Sequence, residues 1–138
     1  MSEKENPIIL IADDDPSCLI ILTEFLKSTG LQIITATDGV LAFEEAIKNI
    51  NIHLVIMDIR MPKMDGLEAV RQIKKHRPTL PVIIYTALND PDYKFLFKKL
   101  NCHDFLLKPV PPQLILDTVS KYIQFQTDEY GTGEYYLS

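Results

Sequence analysis

The chain has little of what marks thiolate, redox or membrane chemistry. It carries two cysteines, Cys18 and Cys102, too far apart for a CxxC motif, so zinc and disulfide exchange have no support. Both read as half-buried small side chains. Its histidines, His53, His76 and His103, are scattered without metal-ligand spacing and read as loop or surface residues. No uninterrupted apolar run is long enough to span a bilayer. The N-terminal MSEKENP is polar and has no signal-peptide hydrophobic region. A cytoplasmic protein is expected. Positive charge is short too: the net charge of −5 is the wrong sign for a nucleic-acid footprint, which argues against direct DNA contact. No internal repeat or linker divides the 138 residues, a length that suits one domain with one core.

What is present is an alternation of short apolar runs and helical patterns. Residues 8–12 (IILIA) read as a strand buried on both faces. Asp15-Pro16 supplies an N-cap and a proline at the first helical position. The helix is expected to reach about Thr29, with Gly30 as its stop and Leu19, Leu22, Phe25 and Leu26 as its buried stripe. Further strands are predicted at 31–36, 53–57, 81–85 and 105–107. Helices are predicted from Asp38 to about Asn49, with Ala42, Phe43, Ala46 and Ile47 on one face, and from Gly66 to His76. A fourth helix opens at Asp90-Pro91. A fifth opens at Pro111-Pro112 and is expected to run to about Phe125. Residues 1–125 then form the domain, and 126–138 an acidic, tyrosine-containing tail that lacks helical periodicity and is expected to be mobile.

Strands joined by helices of this length run parallel, and right-handed crossovers put helices on both faces. The expected fold class is α/β: a (βα)₅ doubly wound, five-stranded parallel sheet with flavodoxin-like order 2-1-3-4-5. Function in such sheets sits at the carboxyl ends of the strands. There stand Asp13 and Asp14 after the first strand, Asp58 after the third, Thr86 after the fourth and Lys108-Pro109 after the fifth. Clustered carboxylates repel, and one lysine cannot balance three of them. A hard divalent cation can, and Mg²⁺ takes one or two carboxylates plus waters and phosphate oxygens. A carboxylate beside such a cation and an ammonium can attack phosphorus and form an aspartyl-phosphate. Asp15 reads as a cap and not as part of this group.

The motifs ILIADDDP, LVIMDIRMPKMDGLE, PVIIYTA and FLLKPV follow one another in order, each at its predicted strand. From Ile8 to about Gln124 the sequence resembles the receiver domains of two-component response regulators, stand-alone receivers among them. The resemblance implies that Asp58 is the phosphoacceptor. Asp14, Asp58 and the backbone carbonyl of Arg60 would bind Mg²⁺, with Mn²⁺ as a substitute, and Asp13 would act indirectly. Lys108 would pair with the phosphoryl group. Thr86 would hydrogen-bond to it and swing inward, small Ala87 would leave access, and Phe105 would follow Thr86 as the aromatic switch. Pro109 would follow a cis bond. The donor would be a phosphohistidine on a sensor histidine kinase or phosphotransfer protein. The reader would be a protein target or a second copy of the chain, docked on the face made by the fourth helix, fifth strand and fifth helix. Such a domain is a switch with self-catalysed phosphoryl transfer and autodephosphorylation, not an enzyme on external substrates.

Departures from the family pattern are mild. Phe105 replaces the commoner Tyr, so burial of the ring alone must report the phosphorylated state. Asn101 stands where the family often has Gly and tolerates the same turn. Arg60 and Leu88 occupy positions that tune phosphoryl loss. Leu88 cannot position water, which implies slow self-dephosphorylation. In the fourth helix, Tyr93, Leu96, Phe97 and Leu100 are expected to face the core, leaving Phe95 outside among Lys94, Lys98 and Lys99 as a partner surface. Three alternatives stand beside this reading. A Mg-dependent aspartyl phosphatase usually has a DxD pair, whereas Ile59 and Arg60 follow Asp58, and no residues are spare for a cap. A nucleotide or flavin module usually has a glycine-rich loop, whereas aspartates follow the first strand. The chain could also be the receiver portion of a longer regulator or hybrid kinase, although the start at Met1 and the tail favour a stand-alone receiver.

Overall fold

The structure is a computed structural model. It describes residues 7–59, 61, 65–87, 98–100, 102–127 and 133–137, the backbone alone for 124–127 and 133–137. Arg60, Leu88, Asn101, the opening of the fourth predicted helix at Asp90-Pro91 and the Phe95 face lie outside the described residues.

Strands β1 (Ile8–Ala12), β2 (Gln32–Ala36), β3 (Ile52–Met57), β4 (Val82–Thr86) and β5 (Asp104–Leu107) form one sheet in the order β2-β1-β3-β4-β5. Every pairing is parallel, as predicted. Helices α1 (Pro16–Lys27), α2 (Gly39–Lys48) and α3 (Gly66–His76) and a C-terminal helix (Pro112–Val119) cover it. Strand side chains alternate between faces. Leu10, Val55, Met57, Val82 and Ile84 pack with Ala42 and Ala46 of α2 and Ala69, Val70 and Ile73 of α3. Their neighbours Ile9, Ile11, Leu54, Ile56 and Ile83 pack with Leu19, Leu22 and Leu26 of α1 and Ile115 and Val119 of the C-terminal helix. Burial on both faces explains why the strands are continuous apolar runs.

The cap expected at Asp15 is in place, and Asp38 caps α2 in the same way. The Asp15 carboxylate accepts from the Ser17 N–H and that of Asp38 from the Leu41 N–H. Gly30 adopts φ 89°, the left-handed conformation that ends α1 at least steric cost.

Four details differ from expectation. Ile47 is exposed, because Ala42, Phe43 and Ala46 already fill the inward stripe of α2. His53 stands in β3, as the strand predicted at 53–57 requires, but is half-buried and not a surface residue. The C-terminal helix stops at Val119 and not near Phe125: the Lys121 and Tyr122 N–H groups bond back to Thr118 and Val119, and Ile123 drops into the core, 0% exposed. Beyond it, strand β6 (Ile123–Thr127) pairs antiparallel with β7 (Gly133–Leu137), so backbone pairing crosses the boundary expected at residue 125.

Candidate phosphoacceptor site

The ladder of the sheet runs one residue past the strands and fixes the site. Asp13 N–H donates to Ala36, Asp58 N–H to Ala12 and Lys108 N–H to Thr86, at 3.0, 2.8 and 2.8 Å. Asp13, Asp58 and Thr86 are thereby buried, while Asp14 remains exposed. Lys108 Nζ donates to Asp13 Oδ2 at 2.5 Å and to Asp58 Oδ2 at 3.1 Å. Side-chain carboxylate oxygens of Asp13, Asp14 and Asp58 lie within 4.8 Å of one another. At that separation two unit charges repel by about 3.5 kcal/mol with an effective dielectric near 20.

One ammonium therefore faces several carboxylates. Burial pushes the Asp13 carboxyl above its usual range and the Asp58 charge adds to this, against the hydrogen bond from Lys108. Burial opposes the charge on Lys108, but hydrogen bonds to Asp13 and Asp58 outweigh it and raise its pKa. The donor set is hard oxygen with excess negative charge, which fits Mg²⁺ and not a soft metal. The third protein ligand expected, the Arg60 carbonyl, lies outside the described residues.

The other expected residues fall close by. Thr86 ends β4, 1% exposed. Ala87 follows it and is exposed. Phe105, paired in register with Ile84, is partly buried on the α2–α3 side of the sheet. The Lys108–Pro109 bond is cis.

Three neighbours were not foreseen. Gly66 passes behind Asp58: its N–H donates to Ile59 at 2.7 Å, and a Cβ there would meet the Asp58 carbonyl oxygen at 1.9 Å. Cys18 Sγ lies 3.7 Å from Lys108 Nζ, and the ammonium stands 5.0 Å from the centre of the Tyr85 ring. Tyr85 packs on the α1 side of the sheet; its distance to Lys108 depends on how the loop after β5 folds back, which no sequence pattern carries.

A family model described as the response regulator receiver domain matches residues 9–120. The chain belongs to that family. Receivers are signalling switches of two-component systems that take phosphoryl groups from sensor kinases, and phosphorylation and Mg²⁺ binding are general features of the family. The receiver is 32% identical over 111 residues to the alkaline phosphatase synthesis transcriptional regulatory protein PhoP of Bacillus subtilis, covering 78% of this chain and 45% of that one. It is 33% identical over 121 residues to the CAI-1 autoinducer sensor kinase/phosphatase CqsS of Vibrio cholerae, covering 83% of this chain and 17% of that one. It thus spans less than half the length of either relative. A response regulator receiver protein from Pseudomonas putida superposes with a TM-score of 0.79 at 31% identity, covering 84% of this chain and 97% of that one. Among the described residues, no helix is long and apolar enough to cross a membrane.

Proposed function

We propose that this receiver accepts a phosphoryl group on Asp58 from a phosphohistidine donor, a sensor histidine kinase or phosphotransfer protein in the cytoplasm. The observation that carries the reading is the convergence of Asp13, Asp14 and Asp58 at the carboxyl edge of the sheet, with the Lys108 ammonium held by Asp13 and Asp58. An Asp58 Oδ forms the new P–O bond as the donor's P–N bond breaks, and the departing imidazole takes up a proton. Asp14 and Asp58 would hold Mg²⁺ and Asp13 would reach it through water; when bound, the cation supplies positive charge for the equatorial phosphoryl oxygens. Lys108 would supply the remaining positive charge, turning from the carboxylates to a phosphoryl oxygen. Thr86 offers a hydroxyl to the same group, and its movement frees room for Phe105.

A modification shifts a two-state equilibrium only through contacts that differ between the states, and Thr86 and Phe105 are the residues so used here. The output is binding of a protein target, or of a second copy, at the surface that includes β5 and the C-terminal helix. On this reading the chain turns over no external substrate. The test is intact mass after incubation with Mg²⁺ and a small-molecule phosphodonor. Wild type is expected to gain one phosphoryl group and Asp58→Asn none; equal labelling of the two, or none in wild type, overturns the reading.

A further inference from the structure

Lysine is a compact charge on a flexible four-carbon stem, so something must hold Lys108 where a phosphoryl oxygen will arrive. Its side chain is 12% exposed, and Asp13 and Asp58 grip the ammonium from one side. The Tyr85 ring and Cys18 Sγ, at 5.0 and 3.7 Å, also border it. Tyr85 directly precedes Thr86 in β4, so one strand end furnishes both the hydroxyl of the site and an aromatic wall. The ring itself borders a cavity of about 120 Å³ between α1 and the start of the C-terminal helix, lined also by Leu22, Phe25, Val110 and Ile115. An aliphatic side chain at position 85 would leave space beside the ammonium in place of a π face.

We propose that Tyr85 is a positioning residue for phosphoryl transfer: its ring holds the Lys108 ammonium against Asp13 and Asp58, so that the cation is aimed before the phosphoryl group arrives. The attraction is of a cation to the ring quadrupole and is strongest where water is excluded. The ring face is what matters and the hydroxyl is dispensable. Tyr85 acts through Lys108. The proposal rests on Asp58 being the acceptor.

The experiment is a double-mutant cycle on the rate of Asp58 phosphorylation by a small-molecule phosphodonor with Mg²⁺. Tyr85→Leu is expected to slow wild type by roughly thirtyfold, the rate equivalent of one desolvated cation–π contact. Tyr85→Phe is expected to keep the wild-type rate. In a Lys108→Ala background, Tyr85→Leu should slow the reaction no further. Equal slowing in both backgrounds, or loss of rate in Tyr85→Phe, overturns the proposal. A variant-free check covers the case in which Tyr85→Leu does not fold. The Lys108 ε-methylene protons of wild type, assigned by their loss in Lys108→Arg, should be shifted upfield by the ring; an unshifted resonance overturns the proposal. Failure of wild type to gain a phosphoryl group would overturn the acceptor assignment itself, whereas a labelled wild type with an unaffected Tyr85→Leu overturns only the role of the ring.

Discussion

Behind Asp58, Gly66 sets how closely α3 can approach the end of β3. The three atoms nearest a Cβ built there are Asp58 O, Ile59 Cα and Asp58 C, at 1.9, 2.7 and 2.8 Å. All are backbone and cannot rotate aside. Gly66→Ala should gain about 1 kcal/mol in helix propensity, but the added methyl must push the Asp58–Ile59 peptide out of line, and overpacking of this kind costs about 1–3 kcal/mol or more. The variant is expected to unfold at lower urea than wild type and to phosphorylate Asp58 more slowly. A midpoint at or above wild type would show that α3 simply shifts. The polar residues of the site were legible in the sequence, because Asp13, Asp58, Thr86 and Lys108 each stand directly after or at the end of an apolar run. Gly66 could be read only as a helix start within MDGLE, since the carbonyl it accommodates lies eight residues earlier. Cys18 and Tyr85 were illegible for a related reason: each looks like ordinary core, and only the folded path of Lys108 brings the ammonium to them.

Arg77 joins two elements that sequence periodicity treats separately. It caps α3, yet its guanidinium donates to carbonyls at the end of α2 and the start of β3: Nη1 to Ala46 and Asn49 at 2.9 and 3.3 Å, and Nη2 to Ile50 and Ile52 at 3.4 and 2.7 Å. A helix end leaves its last carbonyls without intrahelical partners and carries partial negative charge. The planar fork answers both conditions, and β3 is the strand that delivers Asp58. Hydrogen bonds from a charged donor contribute about 1.5–3 kcal/mol. Arg77→Ala is therefore expected to lower stability by about 2 kcal/mol in equilibrium unfolding. Arg77→Lys should recover less than half of the loss, because a point charge cannot span several carbonyls. Full recovery by lysine would mean that charge alone, and not the fork, holds the junction. Among the described residues the identity of the other elements was legible in the sequence, and the one misplaced end is instructive. Ile123-Gln124-Phe125-Gln126-Thr127 alternates apolar and polar residues, the period of a strand. Taken as the continuation of a helix, that alternation goes unnoticed. The backbone turn at Lys121 and Tyr122 and the burial of Ile123 decide the matter, and neither is a local signal.

At the scale of the whole molecule, the site is a concentration of like charge in a chain that is already acidic. The net charge is −5, and three of the negative groups have oxygens within 4.8 Å of one another, with one buried ammonium between two of them. Two hydrophobic layers, one on each face of the sheet, hold those carboxylates together against their repulsion. A cation that binds only the assembled site should therefore stabilise the entire fold. At one hundred times its dissociation constant the linkage amounts to about 2.7 kcal/mol, on the order of 10 °C in melting temperature for a domain of this size. Mg²⁺ is expected to raise the melting temperature in a saturable way, and chelation with EDTA to reverse the rise. Asp58→Asn removes one of the repelling charges and one of the expected ligands together. It should melt above wild type without metal and gain much less when Mg²⁺ is added. The two curves should converge, or cross, as Mg²⁺ increases. A uniform increase in both proteins would assign the effect to general ionic screening of an acidic chain. A wild-type melting temperature insensitive to Mg²⁺ would mean that Lys108 alone compensates the cluster, and the metal assignment would fall while the fold and the position of Asp58 stood unchanged.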